Sequence, residues 1–368
     1  MSNSSFKILI FRIGQLGDML VTVPTLWVLR NKYPYADITM FSDVHTSTNY
    51  TTARDVFEKS PLINNFITYN TSASLGPLRT IIQSIKTLIY LRRQRFNLAF
   101  YLAPSRRNKK QAKRDELFFK IAGIKTCIGF KEFYHLPAPP MTGSTIPVIS
   151  QEADLLLQRI NAAGIRIPPL GEGRTDLAIG HKEFTNVESW SKSQIPDGDR
   201  PWFAVGPGSK MPSKKWPVER FQRVVQHLIN KHDIWPVVFG STDDIPNAKL
   251  LISKWGRGHI AAGDLNIRES ISALSRCCAF LGNDTGTMHM AVSASLRCIA
   301  IFSSRDYPGH WDPYGSGHIV LRQNMSCSGC LLESCVEKNM SCLLSIDETS
   351  VINACENILR DYFKTHHQ

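Results

Sequence analysis

A chain of 368 residues, 43% hydrophobic and 20% charged, is large enough for two domains that each bury a core. No apolar run reaches the ~18 to 20 residues of a membrane span, which excludes a helical integral membrane protein. The net charge of +12 calls for an acidic partner: a phosphorylated substrate, an anionic membrane surface or nucleic acid.

The N-terminus, Met1-Ser-Asn-Ser-Ser-Phe-Lys, leads directly into a strand and lacks a signal peptide's long apolar region, so the expected location is the cytoplasm. Phe6 to Arg12 reads as that strand, Gly14-Gln15-Leu16-Gly17-Asp18 as a tight turn, and Met19 to Lys32 as a helix that Pro24 would kink. Ala36 to Phe41 is the next strand. This βαβ opening predicts a parallel sheet. The turn lacks the middle glycine of a dinucleotide fingerprint, so Asp43 is not read as a ribose ligand. A helix is predicted over Pro77 to Leu91, a strand over Phe96 to Leu102 and a short strand region over Ala122 to Phe130.

From Arg92 to Lys125 there are eleven Lys or Arg against Asp115 and Glu116. No aromatic residue interrupts Arg106 to Arg114, as a nucleic-acid surface would want, so phosphate or membrane contact is the better reading. Tyr134 to Pro147 is a Pro-rich loop, Gln151 to Gly164 an amphipathic helix, and Pro168 to Arg200 a stretch of little periodicity that marks the domain boundary. A second alternating run follows: strands at Trp202 to Val205, Trp235 to Phe239 and Cys298 to Phe302, with helices at Val218 to Lys231, Ala248 to Trp255 and Ile267 to Ser275. A terminal amphipathic helix covers Ile346 to Phe363. The class is α/β with two open parallel sheets.

The stretch Cys277 to Ala291 stands out. An apolar strand turns through Asn283-Asp284-Thr285-Gly286 into a helix over Thr287 to Ser295, leaving backbone N–H groups at the helix start that favour an anion such as phosphate. The alternative is that Asp284 or Thr285 merely caps an ordinary helix. Two further loops follow strands, where ligands bind in such sheets: Gly14 to Asp18, and the basic Gly206-Pro-Gly-Ser209-Lys-Met-Pro-Ser-Lys214-Lys215-Trp216-Pro217. The latter is either a solvated loop or a phosphate site carried by Lys214.

Gly-Asp18, Lys214-Lys-Trp216-Pro217, Asp284-Thr-Gly-Thr-Met-His289 and a late cysteine run, in that order, resemble glycosyltransferase family 9, the lipopolysaccharide heptosyltransferases. The resemblance implies a GT-B fold: an acceptor-binding Rossmann-like domain over 1–175, a nucleotide-sugar domain over 176–345, sheets facing a cleft, and a helix over 346–368 crossing back. It implies inverting transfer without a metal or other cofactor, with ADP-heptose as donor. The acceptor would be a lipopolysaccharide core or lipid-linked sugar at the inner face of the membrane. Carried over, Asp18 is the general base and Lys214 steadies the leaving diphosphate. Gly206, Ser209, Lys214, Asp284, Thr285, Gly286 and His289 hold the donor. A helix start at Asp18 should lower its pKa. On the acceptor or membrane side stand Arg106, Arg107, Lys109, Lys110, Lys113 and Arg114; no nucleic acid is expected.

Asp197-Gly-Asp199 matches the D-x-D metal signature of other glycosyltransferases but falls in the presumed linker, so it reads as turn chemistry. Cys327-x2-Cys330-x4-Cys335-x6-Cys342 could ligate zinc or iron, or remain thiols or a disulfide. Cys127, Cys277, Cys278 and Cys298 sit in apolar contexts as small hydrophobes. Competing functions are another sugar-nucleotide donor on the same fold, a UDP-sugar 2-epimerase of GT-B architecture, and a non-catalytic sugar-nucleotide scaffold.

Overall fold

The computed structural model describes residues 6–45, 50–71, 76–138, 146–194 and 200–366. The chain divides into two compact units. One comprises Met1–Pro137 with Glu152–Ala178, and the other Ala138–Gln151 with Ile179–Gln368. The exchanged segment 138–151 belongs with the second unit because Ile149 N–H bonds the Pro308 carbonyl at 2.8 Å and Gln151 bonds that of Pro313 at 2.9 Å. Such long-range bonds leave no trace in a Pro-rich sequence.

In the first unit the order is β1 (Lys7–Phe11), α1 (Leu16–Leu20), α2 (Val23–Lys32), β2 (Asp37–Val44), α3 (Ala53–Phe57), β3 (Asn65–Asn70), α4 (Gly76–Gln94), β4 (Leu98–Tyr101), α5 (Lys109–Ile121), β5 (Cys127–Ile128) and α6 (Glu152–Asn161). The sheet runs β3-β2-β1-β4-β5, all pairings parallel. Its aromatic core joins Phe11, Phe41, Tyr101 and Phe119. The helix expected over Met19 to Lys32 is two helices. The chain re-caps at Thr22 and restarts with Pro24 in the first turn, where its missing N–H costs nothing. The basic segment, expected as the stretch after a strand, forms α5. Asn108 caps it, its side chain accepting from Gln111 N–H at 2.9 Å.

The second unit continues with α7 (His181–Gln194), β6 (Trp202–Gly206), α8 (Val218–His232), β7 (Trp235–Val238), α9 (Ile245–Trp255), β8 (His259–Ile260), α10 (Ile267–Leu274), β9 (Cys277–Asn283), α11 (Gly286–Ser293), β10 (Cys298–Phe302), β11 (Ile319–Arg322), α12 (Ser341–Leu344) and α13 (Glu348–His366). Its parallel sheet runs β11-β10-β9-β6-β7-β8. Counted from β6, that is the doubly wound order 3-2-1-4-5-6, whose ligand crevice opens where the order reverses, between β6 and β9. Lys214 and Asp284 follow these two strands.

The aperiodic stretch Pro168 to Arg200 contains α7. Tertiary contact with α10 overrides its weak amphipathicity: buried Arg268 donates to buried Glu183 at 2.7 Å, and Asn186 to Glu269 at 2.7 Å. The terminal helix α13 packs on the second unit, where Val351, Cys355, Ile358 and Leu359 share the core of Phe221, Val225 and Leu228.

Candidate functional site

The first group of site residues is built around Arg12, the residue after β1. Its guanidinium is fully buried and donates to the Leu102 carbonyl at 2.9 Å, to Glu152 Oε1 at 3.1 Å, to the Asp18 carbonyl at 2.9 Å and to Asp18 Oδ1 at 3.3 Å. Glu152, at the start of α6, also accepts from Ser105 N–H at 3.2 Å. The other Asp18 oxygen accepts from Gln15 N–H at 3.0 Å. Gly14 holds φ +118°, and a Cβ there would sit 2.4 Å from the Asp18 carboxylate, so both conformation and space demand glycine. Its N–H donates to Asp43 Oδ1 at 3.0 Å, while Tyr50 donates to its carbonyl at 2.9 Å.

Asp18 is thus held from three sides, yet its side chain keeps 24% exposure through which a substrate hydroxyl can reach it. Its pKa is raised, which reverses the expectation from the helix start. Burial is the main cause, Arg12 and the Gln15 N–H oppose it, and the charges of Glu152 and Asp43 add to it. The five-residue α1 has too small a dipole to win against burial and two nearby carboxylates. The result is a stronger base than a helix-capping aspartate.

The second group lies on the loops after β6 and β9. A 3-10 turn at Pro212–Lys214 aims Lys214 Nζ at Asp284 Oδ2, 2.5 Å away, both side chains largely buried. Lys215 is exposed. Trp216 fixes this register: it is buried edge-on against Phe221, its N–H donates to Asn283 Oδ1 at 3.2 Å and its indole to the Ile346 carbonyl at 3.2 Å. Asn283 returns a bond to the Pro207 carbonyl at 2.8 Å, tying the two loops together.

Capping does not explain Asp284 or Thr285. Thr285 occupies the N-cap of α11 with extended backbone and makes no side-chain capping bond, while Asp284 turns to Lys214. Met288 N–H bonds the Thr285 carbonyl at 3.1 Å, but neither side chain caps the N–H groups of Gly286 and Thr287 at the start of α11, and Lys214 is held at the same turn through Asp284. A helix start of this kind beside a lysine suits an anion. His289, one turn on, is buried with its ring edge toward Trp311, and burial lowers its pKa to about 4, so it is neutral. On the loop that carries Lys214, a Cβ on Gly206 would meet the Phe280 ring at 2.6 Å, and Ser209 Oγ accepts from Met211 N–H at 3.2 Å.

Sequence reasoning missed Asp244, just after β7. It accepts from Ser241 N–H at 2.8 Å, and its carboxylate lies so close to Gly208 that a Cβ there would come within 2.2 Å. An acid in the 3-10 turn that follows the second strand, against the Gly-rich loop after the first, lies in the region where Rossmann-like units hold a ribose, and that placement is the signal that could have found it. It also missed Arg12 and Glu152, which look like core residues until the bonds of Arg12 to both Asp18 and Glu152 are seen.

The basic segment divides. Arg106, Lys109, Lys110, Lys113 and Arg114 are exposed. Arg107 is not a surface cation: it lies 3.3 Å from buried Asp115 and over the Phe11 ring, and Arg114 also reaches Asp115 at 3.0 Å. Asp115 in turn accepts from Tyr101 at 2.8 Å. A lone buried carboxylate requires such a partner.

Cys327, Cys330, Cys335 and Cys342 are free thiols, and among the described residues no group of three or more His, Cys, Asp or Glu is placed to hold a metal ion. Their loop braces the lysine loop instead. Ser213 donates through its hydroxyl to the Leu332 carbonyl at 2.7 Å and through its N–H to that of Glu333 at 3.1 Å, and buried Arg305 also bonds the Leu332 carbonyl at 2.7 Å. Asp197 and Asp199 lie outside the described residues. Among those described, no helix is long and apolar enough to cross a membrane.

Residues 169–341 match the model of glycosyltransferase family 9 (heptosyltransferase). Lipopolysaccharide heptosyltransferase 2 of Escherichia coli is 24% identical over 325 residues, 82% of this chain and 84% of that protein. The matches to other curated relatives span about half their length or less: 51% of lipooligosaccharide heptosyltransferase 2 of Campylobacter jejuni, 42% of that of Haemophilus influenzae. In structure, the family 9 glycosyl transferase of Veillonella parvula superposes with a TM-score of 0.70 at 21% identity, covering 98% of this chain and 99% of that one. An E. coli heptosyltransferase solved with ADP-2-deoxy-2-fluoro heptose gives 0.65 at 14% identity, over 95% and 99%. The fold is GT-B, and residues 169–341 of the chain are similar to glycosyltransferase family 9.

Proposed function

We propose that the protein transfers heptose from ADP-heptose to a lipopolysaccharide core acceptor, inverting the anomeric centre in one displacement and using no metal. In this reading the acceptor hydroxyl attacks the anomeric carbon as its proton passes to Asp18. The bond from that carbon to the diphosphate oxygen breaks, and the electron pair leaves with ADP. Base and positive charge are the two requirements of such a step. The raised pKa and partial exposure of Asp18 support the first. The single observation that carries the proposal is Lys214 beside the uncapped start of α11, because two kinds of donor there can stabilise a leaving diphosphate without a metal ion. On binding, the diphosphate would compete with Asp284 for Lys214. Asp244 would take the ribose hydroxyls. Neutral His289 cannot repel a cation and can donate one hydrogen bond.

The donor is proposed from the heptosyltransferase relatives, since phosphate contacts do not report the base or the sugar. Incubating the purified protein with ADP-, UDP-, GDP- and dTDP-sugars in turn tests it. Thermal stabilisation by ADP-heptose and transfer to a heptose-deficient core are expected. Stabilisation by a UDP-sugar alone would move the chain to another donor. The exposed Arg106, Lys109, Lys110 and Lys113 are proposed to attract the phosphates of the acceptor and of the membrane face, each contributing ~1 kcal/mol within a Debye length of ~8 Å. The protein would then work in the cytoplasm against the inner membrane. Neutralising those four should raise acceptor KM and leave donor affinity unchanged.

A further inference from the structure

Helix α4 exposes a face that a helix of a soluble domain would bury. Leu78, Ile81, Ile82, Ile85 and Ile89 fall at i, i+3, i+4, i+7 and i+11, a single stripe about 100° wide. That stripe faces solvent: Leu78 is 70% exposed and Ile81 56%, and the other three are also exposed. The opposite side carries Thr80 and Ser84, whose hydroxyls bond the Gly76 and Thr80 carbonyls at 2.8 Å. Only toward its end is the helix anchored, through buried Leu91 and half-buried Leu88 in the core of Phe96 and Phe119.

A continuous face of large aliphatic side chains marks an interaction surface, and charge selects the occupant. Residues 76–94 contain no Asp or Glu, while Arg79, Lys86, Arg92 and Arg93 are exposed on the same helix. A second copy of this chain, at net +12, would bring like charges together. An anionic bilayer satisfies both halves of the helix, apolar stripe in the headgroup–acyl boundary and cations on the phosphates. At 19 residues without a spanning apolar run, α4 can lie in the interface and cannot cross it.

We propose that α4 is an interfacial helix that inserts Leu78, Ile81, Ile82, Ile85 and Ile89 into the surface of an anionic membrane. This deepens the membrane-side part of the proposed function, yet it is tested with vesicles that hold neither acceptor nor donor. Its failure is therefore separable from failure of the transfer reading. The full chain should co-sediment with phosphatidylglycerol–phosphatidylcholine vesicles and weakly with phosphatidylcholine alone. The double variant Ile81→Asn/Ile85→Asn should lose at least about tenfold in partitioning with an unchanged melting temperature, since both side chains are exposed. An Ile82→Trp probe should shift its emission to the blue when anionic vesicles are added. In 0.5 M NaCl the unmodified chain should keep part of its binding, because the apolar component is not screened. Equal partitioning of the double variant, or no emission shift at position 82, would overturn the proposal. So would a dimer in light scattering that the double variant dissociates while vesicle binding stays intact, which would make the stripe a contact between copies.

Discussion

The turn after β1, the first strand of its sheet, and the turn after β9, the fourth strand of the other counted from β6, both lead from a parallel strand into a helix and do opposite electrostatic work. In the first, the chain's own carboxylates take the backbone donors: Asp18 accepts from Gln15 N–H and Asp43 from Gly14 N–H. In the second, the acid at the turn is held away by Lys214 and the helix start is uncapped. A self-satisfied turn cannot hold a phosphate, but it positions a carboxylate whose proton affinity burial has increased. An unsatisfied one cannot position a base, but it receives an anion. In the proposed reading, a strand-to-helix turn thus supplies the base on one unit and the leaving-group site on the other.

The comparison breaks most sharply at Asp18. Asp18→Asn keeps the size and one acceptor oxygen but removes the base, so turnover should fall ~10²-fold or more with ADP affinity unchanged. Near-normal turnover would make the first turn as structural as an ordinary cap.

The second turn is probed by Lys214→Ala. Loss of a charged contact to the diphosphate should weaken ADP binding about 10- to 100-fold and slow transfer. Because the change also strips buried Asp284 of its partner, the double variant Lys214→Ala/Asp284→Asn separates the two effects: it should regain stability and not ADP affinity. Lys215→Ala should leave both untouched, since that side chain points to solvent.

The two units should also titrate in opposite directions. His289 has a folded pKa of about 4 against 6.5 for a free imidazole, so on acidification the unfolded chain takes the proton first. Stability present above pH 6.5 is lost on the way down to about pH 4, by up to about 3 kcal/mol. Asp18 runs the other way. Its raised folded pKa means its contribution is full below the unfolded value of 3.8 and lost as pH rises through the folded one. Melting temperatures of His289→Gln between pH 7 and pH 5 should fall less steeply than those of the unmodified protein; parallel curves would show that His289 does not titrate there.

Much of this contrast was legible in the sequence, because Gly-Asp18, Lys214-Lys-Trp216-Pro217 and Asp284-Thr-Gly sit at strand ends whose apolar runs announce them. The central strands of both sheets were readable for the same reason, the burial of β1 and β9 being written in continuous apolar residues, whereas the outer strands β3, β8 and β11 were not read. What escaped was set by partners far along the chain. α7 exists through Glu183–Arg268 and Asn186–Glu269, pairs more than 80 residues apart. Arg107 read as one more surface cation because its partner Asp115, and the burial of that partner, appear only in the fold. The direction of the Asp18 shift failed likewise: a helix start is visible in sequence, while Glu152, 134 positions on, is not visible as a neighbour.

Glu152 gives the finest test of the first turn. It shares Arg12 with Asp18, accepting from the same guanidinium. Its negative charge raises the pKa of Asp18 directly, and by pairing with Arg12 it reduces the pull of that cation on the Asp18 carboxylate. Glu152→Gln removes both influences and keeps an amide oxygen that can still accept from Arg12 and from Ser105 N–H. Asp18 should then ionise at lower pH, so the acid limb of the kcat/KM profile should move to lower pH. The same change makes Asp18 a weaker base, and the plateau rate should fall modestly, as Brønsted behaviour requires. A merely structural Glu152 would lower the plateau without moving the limb. The two readouts together therefore distinguish a residue that tunes the base from one that only holds α6 against Arg12.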